Sequence, residues 1–387
     1  MTDSRRSEFQ LPAGLVYLNC AYMSPLPRRT EEAGISGMRR KRNPSTLFAT
    51  DFFEDADSVR QAFGSLVTAD PSRVAIIPSA SYGISAAARN CPARAGQNIV
   101  LTGEQFPSHV YPWKRLADAN GLDVRTIGPP VEPVERGKRW NELLWEAIDT
   151  ATAVVAVPCF HWTDGTRFDL ARLGARAREV GAALVVDGTQ SVGAVPFSVE
   201  EIRPDALIAA SYKWLLGPYS LGAAYYGALF DDGEPLEETW LSRPRSDDFR
   251  RVGELEEGYR PGAVRYDMGE VANFTLLPMF LTSLQLLLEW SVSAVQQHCA
   301  TLARDFLLAA SDLGLEPESD EWRGDHLFGV RLPRGVLTEE FQAQLARRRI
   351  HVSLRGNAVR ISPHVYNDAA DMGALLEALK DFLSAGR

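Results

Sequence analysis

The sequence has little cysteine, no long apolar run and no excess of positive charge, and each shortage excludes a class of protein. Its 387 residues contain four widely separated cysteines without a CxxC pair, which argues against a disulfide framework or a zinc knuckle. No stretch is long and apolar enough to cross a bilayer. The opening MTDSRRSEFQLPAG lacks the apolar core of a secretory signal. We therefore expect a soluble cytoplasmic protein with no membrane partner.

The charge balance is acidic and the histidines are few. Lys and Arg number 41 against 50 Asp and Glu, a net charge of −9. The basic run at residues 39–42 is too short to outweigh this balance, so we interpret it as a solvated helix end and expect no nucleic-acid partner. Four histidines stand at no metal-ligand spacing from acids or cysteines, and we predict surface or packing residues and no metal site: His109, His298, His326 and His364.

Between about residues 70 and 230, short apolar runs alternate with Ala-rich helical patterns. The runs are VAIIP, NIVLTG, ATAVVAVPCF, AALVVDG, ALIAAS and GAAYYG. This alternation is typical of βαβ units, so the predicted fold class is α/β with a mostly parallel central sheet. After residue 272, the apolar LLPMFLTSLQLLLEW predicts a buried helix, and HLFGVRL and AVRISPH predict strands of a smaller α+β domain.

The predicted domain organisation has three parts. Residues 1–20 form an N-terminal segment that joins the small domain, residues 21–271 form the large domain, and residues 272–387 form the small C-terminal domain. Since no repeat, low-complexity stretch or long linker separates them, we expect the domains to pack tightly together.

Two polar residues follow predicted buried strands. Asp187 ends the run AALVVD, where an open α/β sheet places its ligand, although an acid there can also cap a helix. Lys213 follows ALIAAS and precedes a Gly-Pro turn. A lysine in apolar surroundings is costly unless it is paired or used covalently. A desolvated lysine suits Schiff-base chemistry, and a carboxylate can keep a pyridine nitrogen protonated, so together the two residues predict a cofactor site.

The stretch 184–226 resembles the aminotransferase class V family of fold-type I pyridoxal-phosphate enzymes, which includes cysteine desulfurases, selenocysteine lyases, kynureninases and isopenicillin N epimerase-like proteins. It matches a strand, Asp, two residues, Gln or His, then Ser-x-Lys and a Gly-Pro turn. The resemblance implies pyridoxal 5'-phosphate as the cofactor, with Lys213 as its Schiff-base lysine and Asp187 on its pyridine nitrogen. It places Gln190 on the phenolic oxygen, and Ser211 and Tyr212 at the phosphate.

Two further segments match the cofactor-binding parts of the family. Ser79-Ala80-Ser81 follows VAIIP and opens a predicted helix, where backbone N–H groups suit a phosphate. The resemblance assigns Ala80 and Ser81 to the cofactor phosphate, with a simple N-cap as the alternative. Phe106 falls where kynureninases have a phenylalanine and desulfurases a histidine, which implies that its ring stacks on the pyridine. The alternative is a phenylalanine of the core.

The substrate side of the site is expected to combine residues from both ends of the chain. The segment around Asn19 resembles the family's opening segment, which runs past the substrate pocket, unless it is a surface loop. Arg360, in AVRIS, matches the arginine that clamps the substrate carboxylate, with a structural salt bridge as the alternative. Trp162, Tyr111 and Trp113 can form an aromatic substrate wall, although aromatic residues more often serve packing.

The sequence departs from its relatives at two places. Desulfurases carry a nucleophilic cysteine on a loop shortly before the clamping arginine, whereas residues 350–357 contain none. A persulfide-forming desulfurase is therefore not expected unless Cys20 or Cys159 serves instead. Glu270 stands where the family has a threonine that contacts the partner subunit's phosphate, and Asn273 is a candidate to replace it.

The resemblance implies a homodimeric enzyme that acts on an amino acid or related amine through a Cα carbanion. Because the cofactor and carboxylate sites are intact and the cysteine is absent, transamination is the leading hypothesis. The alternatives are a C–S or C–C lyase and an epimerase. The rival from another class is a non-catalytic binding protein, which intact Asp187, Gln190 and Lys213 disfavour.

Overall fold

The structure is a computed structural model that describes residues 4–130, 135–315, 317–332, 338–356 and 358–385. Its strands are β1 Val16–Tyr17, β2 Val74–Ile77, β3 Asn98–Thr102, β4 Asp123–Ile127, β5 Thr152–Pro158, β6 Ala183–Asp187, β7 Ala206–Ala210, β8 Gly222–Tyr226, β9 Phe328–Arg331, β10 Ile350–His351, β11 Ser353–Arg355 and β12 Ala358–Ile361. Its α-helices are α1 Arg28–Arg40, α2 Glu54–Val67, α3 Ala80–Asn90, α4 Tyr111–Asn120, α5 Arg136–Ala147, α6 Leu170–Val180, α7 Val199–Ile202, α8 Leu276–Trp290, α9 Val292–Ser311, α10 Thr338–Arg347 and α11 Ala369–Ala385.

A seven-stranded sheet in the order β2-β8-β7-β6-β5-β3-β4 forms the centre of the large domain. From β7 to β4 all neighbouring strands are parallel, while β8 is antiparallel to both of its neighbours. All six apolar runs became strands, because helices cover both faces of the sheet and strands buried on two faces must be apolar throughout. The predicted α/β class with a mostly parallel sheet is confirmed.

Strand β4 was not predicted from the sequence. It lies at the edge of the sheet and pairs only with β3 among the described strands. Its residues, DVRTI, are exposed or half-buried throughout. An edge strand has one neighbour and a partly solvated surface, so it needs no continuous apolar run and leaves little signal in the sequence.

The small domain contains the antiparallel sheet β11-β12-β9 and a two-stranded parallel pair of β1 with β10. In that pair, Val16 lies opposite Ile350. The neighbouring Leu18 is fully buried in the same apolar cluster as Phe328, Val359 and helix α11 residues. The described part of the N-terminal segment thus contacts the small domain.

Helix α8 departs from the expected division of the chain. It packs against α1 and α2 of the large domain, and its Leu277, Phe280 and Leu284 belong to the apolar cluster beneath the central sheet. The chain then bends by 72° between α8 and α9. We therefore propose to place the start of the small domain near Ser291 at this bend instead of at residue 272.

The helices of the described residues were compared with the length and hydropathy that a membrane span requires. None of them meets both requirements alone. Helices α8 and α9 meet them only as a bent pair, and the apolar side chains of α8 lie mostly in the core.

A buried ion pair holds strand β2, which leads into the predicted phosphate turn. The guanidinium of Arg60 in α2 contacts the carboxylate of Asp267, and both side chains are buried. Asp267 also accepts a hydrogen bond of 2.8 Å from the backbone N–H of Ile76, and Arg60 donates through Nε to the carbonyl oxygen of Val74. One buried network therefore ties α2 and the segment before α8 to β2.

Replacing Arg60 with methionine should destabilise the protein strongly. The substitution keeps an apolar side chain but leaves the Asp267 carboxylate buried without its cation, which costs roughly 3–5 kcal/mol. Urea unfolding of the cofactor-free protein measures this loss.

Arg73→Met is the matched control, because Arg73 pairs with Asp231 at the surface, where both side chains remain partly exposed. The control should change stability by no more than about 1 kcal/mol. Equal effects of the two substitutions would contradict the structural role of the buried pair.

Candidate active site

The carboxyl ends of the parallel strands open into a cavity of about 290 Å³. Its wall combines the turn after β2, the loop after β3, the ends of β5, β6 and β7, and the turn that precedes β8. The lining residues named by the sequence are Ala80, Ser81, Phe106, Trp162, Asp187, Gln190, Tyr212 and Lys213. The structure therefore brings together residues that are up to 133 positions apart (213 − 80).

Lys213 lies in the cavity wall with only 8% of its surface exposed. Its Nζ is 5.7 Å from the ring centroid of Phe106 and 5.6 Å from that of Tyr212. Burial lowers the pKa of Lys213 to about 8. The Asp187 carboxylate opposes this lowering, and the positive charge of Arg360 adds to it. An amine with this pKa is partly neutral near pH 7 and is therefore available as a nucleophile or base.

Asp187 is the last residue of β6 and lines the same cavity. Its Oδ1 accepts a hydrogen bond of 2.9 Å from the backbone N–H of Thr189. The next α-helix in the described chain, α7, begins twelve residues later at Val199. The helix N-cap alternative is therefore wrong, since the carboxylate closes a turn at the strand end and keeps one oxygen free of this bond.

The orientation of the Gln190 amide follows from its partners. Trp214 Nε1–H can only donate, and it lies 2.8 Å from Gln190 Oε1. The carbonyl oxygen of Ala21 can only accept, and it lies 3.1 Å from Gln190 Nε2. His326 Nε2 contacts the backbone oxygen of Gln190 at 2.7 Å. Since an amide NH₂ has two hydrogens, one donor of Gln190 is left for a ligand in the cavity.

The N-terminus of α3 forms another part of the wall. Ser79 is the N-cap residue, and its Oγ accepts from the backbone N–H of Tyr82 at 3.2 Å. Ala80 and Ser81 occupy the first turn, and the hydroxyls of Ser79 and Ser81 are 2.8 Å apart. The cap therefore belongs to Ser79, while the first-turn N–H groups of Ala80 and Ser81 are placed as an anion site requires.

Ser211 is not brought to the cavity. It is fully buried, and its hydroxyl donates to the carbonyl oxygen of Pro218, which closes the turn around Lys213. Tyr212 does line the cavity, together with Tyr219 and Ser220, which the sequence interpretation did not name. Both residues directly follow the Gly-Pro turn, which folds the chain back towards the lysine. That position in the sequence could have indicated that they line the cavity.

Two aromatic side chains form the outer wall. Phe106 is 40% exposed, so the core alternative is wrong. Its ring meets that of Trp162 edge to face, with centroids 5.6 Å apart, and Trp162 Nε1 donates to the carbonyl oxygen of Glu104 at 2.7 Å. Trp113 is fully buried and Tyr111 is largely exposed, and neither lines this cavity. Of the three proposed wall aromatics, only Trp162 therefore contributes.

The turn that carries Trp162 packs against the small domain. Gly165 has φ +75°, and a Cβ there would lie 1.9 Å from the carbonyl oxygen of Leu327, just before β9. Only glycine allows the two backbones to approach this closely. The cavity wall and the small domain are thus in direct contact at this turn.

Arg360 in β12 lies beside the same turn, with 1% of its surface exposed. One guanidinium nitrogen donates to the carbonyl oxygen of Trp162 at 2.7 Å, and the other donates to Ser353 Oγ at 3.0 Å. Ser353 in turn donates to Asn19 Oδ1 at 2.8 Å. Asn19 is therefore buried and linked to Arg360, not part of a surface loop.

The charge of Arg360 has no acidic partner within the described residues, so the salt-bridge alternative is not observed there. Burial lowers the pKa of Arg360 to about 10. A buried, unpaired guanidinium is costly unless an anion binds to it. Arg360 and Asn19 lie behind Trp162 and outside the lining of the 290 Å³ cavity.

The comparisons with known proteins agree with this geometry. The family model for aminotransferase class V matches residues 39–240. The chain belongs to the aminotransferase class V family. It is 27% identical over 320 residues to the uncharacterised aminotransferase YcbU of Bacillus subtilis (strain 168), covering 82% of this chain and 81% of that protein. It is 25% identical to the isopenicillin N epimerase of Amycolatopsis lactamdurans over 97% of each chain.

Solved structures show the same fold. The apo cysteine desulfurase of Thermococcus onnurineus NA1 superposes with a TM-score of 0.83 at 18% identity, covering 98% of this chain and 97% of that one. The cystine C-S lyase C-DES, in complex with cysteine persulfide, gives a TM-score of 0.84 at 18% identity, covering 95% and 98%. The predicted fold-type I architecture is confirmed.

Class V enzymes use pyridoxal 5'-phosphate, and the cavity fits that cofactor. The helix N-terminus at Ala80 and Ser81 offers donors for a phosphate. Asp187 offers a carboxylate for a pyridinium nitrogen, and Lys213 offers an amine for an aldehyde. Phe106 supplies an aromatic face on the same wall. These individual roles remain predictions of the sequence with which the arrangement is consistent.

The cysteines are not placed for nucleophilic chemistry. All four are buried with free thiols, and burial raises the pKa of Cys159 to about 12 and that of Cys20 still further. A thiol attacks as its thiolate, so a raised pKa removes reactivity near neutral pH. Burial and the raised pKa therefore disfavour Cys20 and Cys159 as substitutes for the missing desulfurase cysteine.

The remaining sequence predictions concern the histidines and the subunit contact. The four histidines named in the sequence are buried, so they are packing residues and the surface alternative is wrong. Within the described ranges no three His, Cys, Asp or Glu side chains form a group that could hold a metal.

Glu270 is exposed, and the amide oxygen of Asn273 accepts from the backbone N–H groups of Thr275 and Leu276 at the start of α8.

The depressed pKa of Lys213 predicts how the cofactor-free protein reacts with amine-directed acylating reagents. The neutral amine is the reactive form, and with a pKa of about 8 roughly a tenth of it is neutral at pH 7. The acylation rate of the Lys213 peptide, followed by mass spectrometry, should therefore rise with pH and level off above about pH 8. Nα-acetyl-lysine, the reference amine, should continue to rise towards pH 10. Parallel profiles for the two amines would contradict the assigned pKa.

Proposed function

We propose that the protein is an amino-acid aminotransferase that uses Lys213 as its single proton carrier. The observation that supports this most directly is the composition of the cavity wall. Among the described residues that line it, Asp187, Tyr212, Tyr219 and Lys213 are the ionisable ones. Burial raises the pKa of Tyr212 to about 12, whereas that of Lys213 is about 8. Lys213 is therefore the lining group best suited to accept and return a proton near neutral pH.

In this proposal each residue of the site has a separate role. Bound pyridoxal phosphate supplies an electron sink that makes the Cα proton of an amino acid acidic. Lys213 Nζ removes that proton, and the Asp187 carboxylate stabilises a proton on the cofactor's ring nitrogen. Arg360 binds the α-carboxylate with two donors, which orients the amino acid before reaction. Phe106 and Trp162 cover the outer side and limit access of water.

Transamination requires one group that takes the proton from Cα of the amino acid and delivers it to the cofactor carbon that keeps the amino nitrogen. A single amine on one side of the substrate can do both. Transfer of sulfur onto an enzyme cysteine needs a thiolate, and burial of all four thiols disfavours that desulfurase route. An elimination needs in addition an acid for the leaving group, and Tyr212, which its raised pKa keeps protonated, lines the same cavity, so a lyase reaction is an alternative that this wall also allows.

Epimerisation is the second candidate function. It is favoured by the similarity to isopenicillin N epimerase, which extends over 97% of both chains. Epimerisation also begins with removal of the Cα proton, but the proton is returned to Cα from the opposite face. The fate of that proton therefore separates the two candidates.

The decisive measurement mixes the holoenzyme with a panel of amino acids and follows the cofactor's absorbance. Transamination predicts that the visible band is lost when an amino acid is added and restored by a keto acid, with stoichiometric formation of a new amino acid. Lys213→Ala should lose at least roughly 100-fold in rate because the proton carrier is removed.

The alternatives give different outcomes in the same experiment. Solvent deuterium at Cα with loss of optical activity, but without a keto acid, indicates an epimerase. Release of pyruvate or alanine without any keto acid acceptor indicates a lyase. Either result would exclude transamination as the main reaction.

We also propose that the enzyme is a homodimer, as class V family membership suggests. Large apolar side chains are exposed near the cavity, including Tyr219, which lines it, and Tyr22, which follows Asn19 and Ala21. Exposed apolar surface around a site supports burial by a second subunit.

Sedimentation or light scattering should therefore give twice the 42.7 kDa mass of one chain. The dimer should persist on dilution to the concentrations used for the assay, because a site shared between subunits requires both. A monomeric mass with full activity would contradict this proposal.

A further inference from the structure

A second guanidinium lies next to Arg360 on the substrate side of the site. Arg355 is in β11, and its guanidinium carbon is 5.3 Å from the ring centroid of Trp162. Arg360 donates to the backbone oxygen of the same tryptophan. Both cations therefore adjoin one residue of the cavity wall, Arg360 on its backbone and Arg355 on its ring.

The pairing of β11 with β12 explains why the two side chains share one side of the sheet. Ser353 lies opposite Arg360, and Arg355 lies opposite Ala358. Residues opposite each other in an antiparallel pair point to the same face, and so do residues two apart along a strand. Arg355 and Arg360 therefore project from the same face, which is the face that meets Trp162.

Arg355 has no acidic partner within the described part of the chain. Its only hydrogen bond there is from NH1 to the carbonyl oxygen of the preceding Leu354 at 2.9 Å, and its buried Nε has no partner. The acid of the adjoining turn, Asp164, is already bound by Arg136 and Arg331, at 2.8 and 3.2 Å. Stacking on Trp162 leaves the Nε donor unsatisfied, so packing alone does not account for Arg355.

The two arginines add positive charge to the site and repel each other. The positive charge of Arg355 contributes to the lowered pKa of Arg360, and both charges contribute to the lowered pKa of Lys213. Two like charges with no acid between them are unfavourable unless a ligand supplies negative charge. One α-carboxylate neutralises only one of them.

We propose that Arg360 binds the α-carboxylate and Arg355 binds a second acidic group of the same molecule, so that the substrate is an amino acid with an acidic side chain. This proposal rests on the proposed action on amino acids. Arg360 is the deeper cation and is oriented by Ser353 and Trp162. Arg355 is half-buried against Trp162, where we expect it to meet a side-chain carboxylate. The ring of Trp162 between them offers an apolar surface for the connecting methylene groups.

Acids without an amino group test this proposal because they bind without reacting. Titration of the holoenzyme by calorimetry should give at least roughly tenfold tighter binding for succinate or glutarate than for butyrate, since a second charge-assisted contact is available only to the diacids. Equal affinities for diacids and monoacids in the unmodified protein would overturn the proposal.

Substitutions test whether Arg355 makes the contact with the second acidic group. Arg355→Gln should remove the advantage of the diacids and leave the affinity for butyrate unchanged. Arg360→Gln should weaken both kinds of acid. Arg304→Gln is the matched control because Arg304 is exposed and its only described acidic partner is the neighbouring Asp305. This control should change neither the affinity for diacids nor the affinity for butyrate. If Arg355→Gln weakens diacids and monoacids equally, the second-group assignment is wrong.

The readouts also separate this proposal from the proposed function. Binding of amine-free diacids does not depend on any reaction, and the cofactor's visible band together with the unfolding temperature verifies that each variant is folded. Diacid selectivity without transamination would leave the Arg355 assignment standing and exclude the aminotransferase. Transamination without diacid selectivity would support the aminotransferase and overturn the Arg355 assignment.

Discussion

The burial of one ammonium group beside one carboxylate is the constraint on which the rest of the structure depends. Lys213 loses most of its hydration in the turn after β7, and the Asp187 charge at the end of β6 is the largest influence that opposes the resulting fall in its pKa. Two adjacent parallel strands place the groups at the same edge of the sheet, so their relative position is as rigid as the sheet itself. A lysine held in this way is less basic than in water, which makes it useful near neutral pH.

The two domains contribute different parts of the proposed site. The large domain provides a rigid set of strand ends and the N-terminus of α3, which suit a phosphorylated cofactor. The small domain brings Arg360 and Arg355 to the turn around Trp162. The N-terminal segment connects the two, since Asn19 is linked through Ser353 to Arg360 while Ala21 contacts Gln190. The N-terminal segment therefore joins the two parts of the proposed site.

Local pattern was sufficient where burial on both faces of the sheet determined the residue types. The six predicted strands are buried almost throughout and mostly apolar, so their positions were predictable, together with the polar residues Asp187 at the end of β6 and Lys213 after β7. It was insufficient at the sheet edge, where β4 mixes charged and apolar residues. It left open whether the histidines pack or are exposed, because a neutral imidazole can be buried as easily as it can be exposed.

The sequence by itself determined the class of fold, the family and the pair Lys213 and Asp187, because each depends on residues a few positions apart along buried strands. Only the tertiary structure decided that Ser211 turns inward, that α8 packs on the large domain and that Arg355 joins Arg360. These features depend on how elements and side chains pack in three dimensions, even where the residues are near in sequence, as Ser211 and Pro218 are. The link from Asn19 to Ser353 spans 334 positions, and no local periodicity records a contact of that kind.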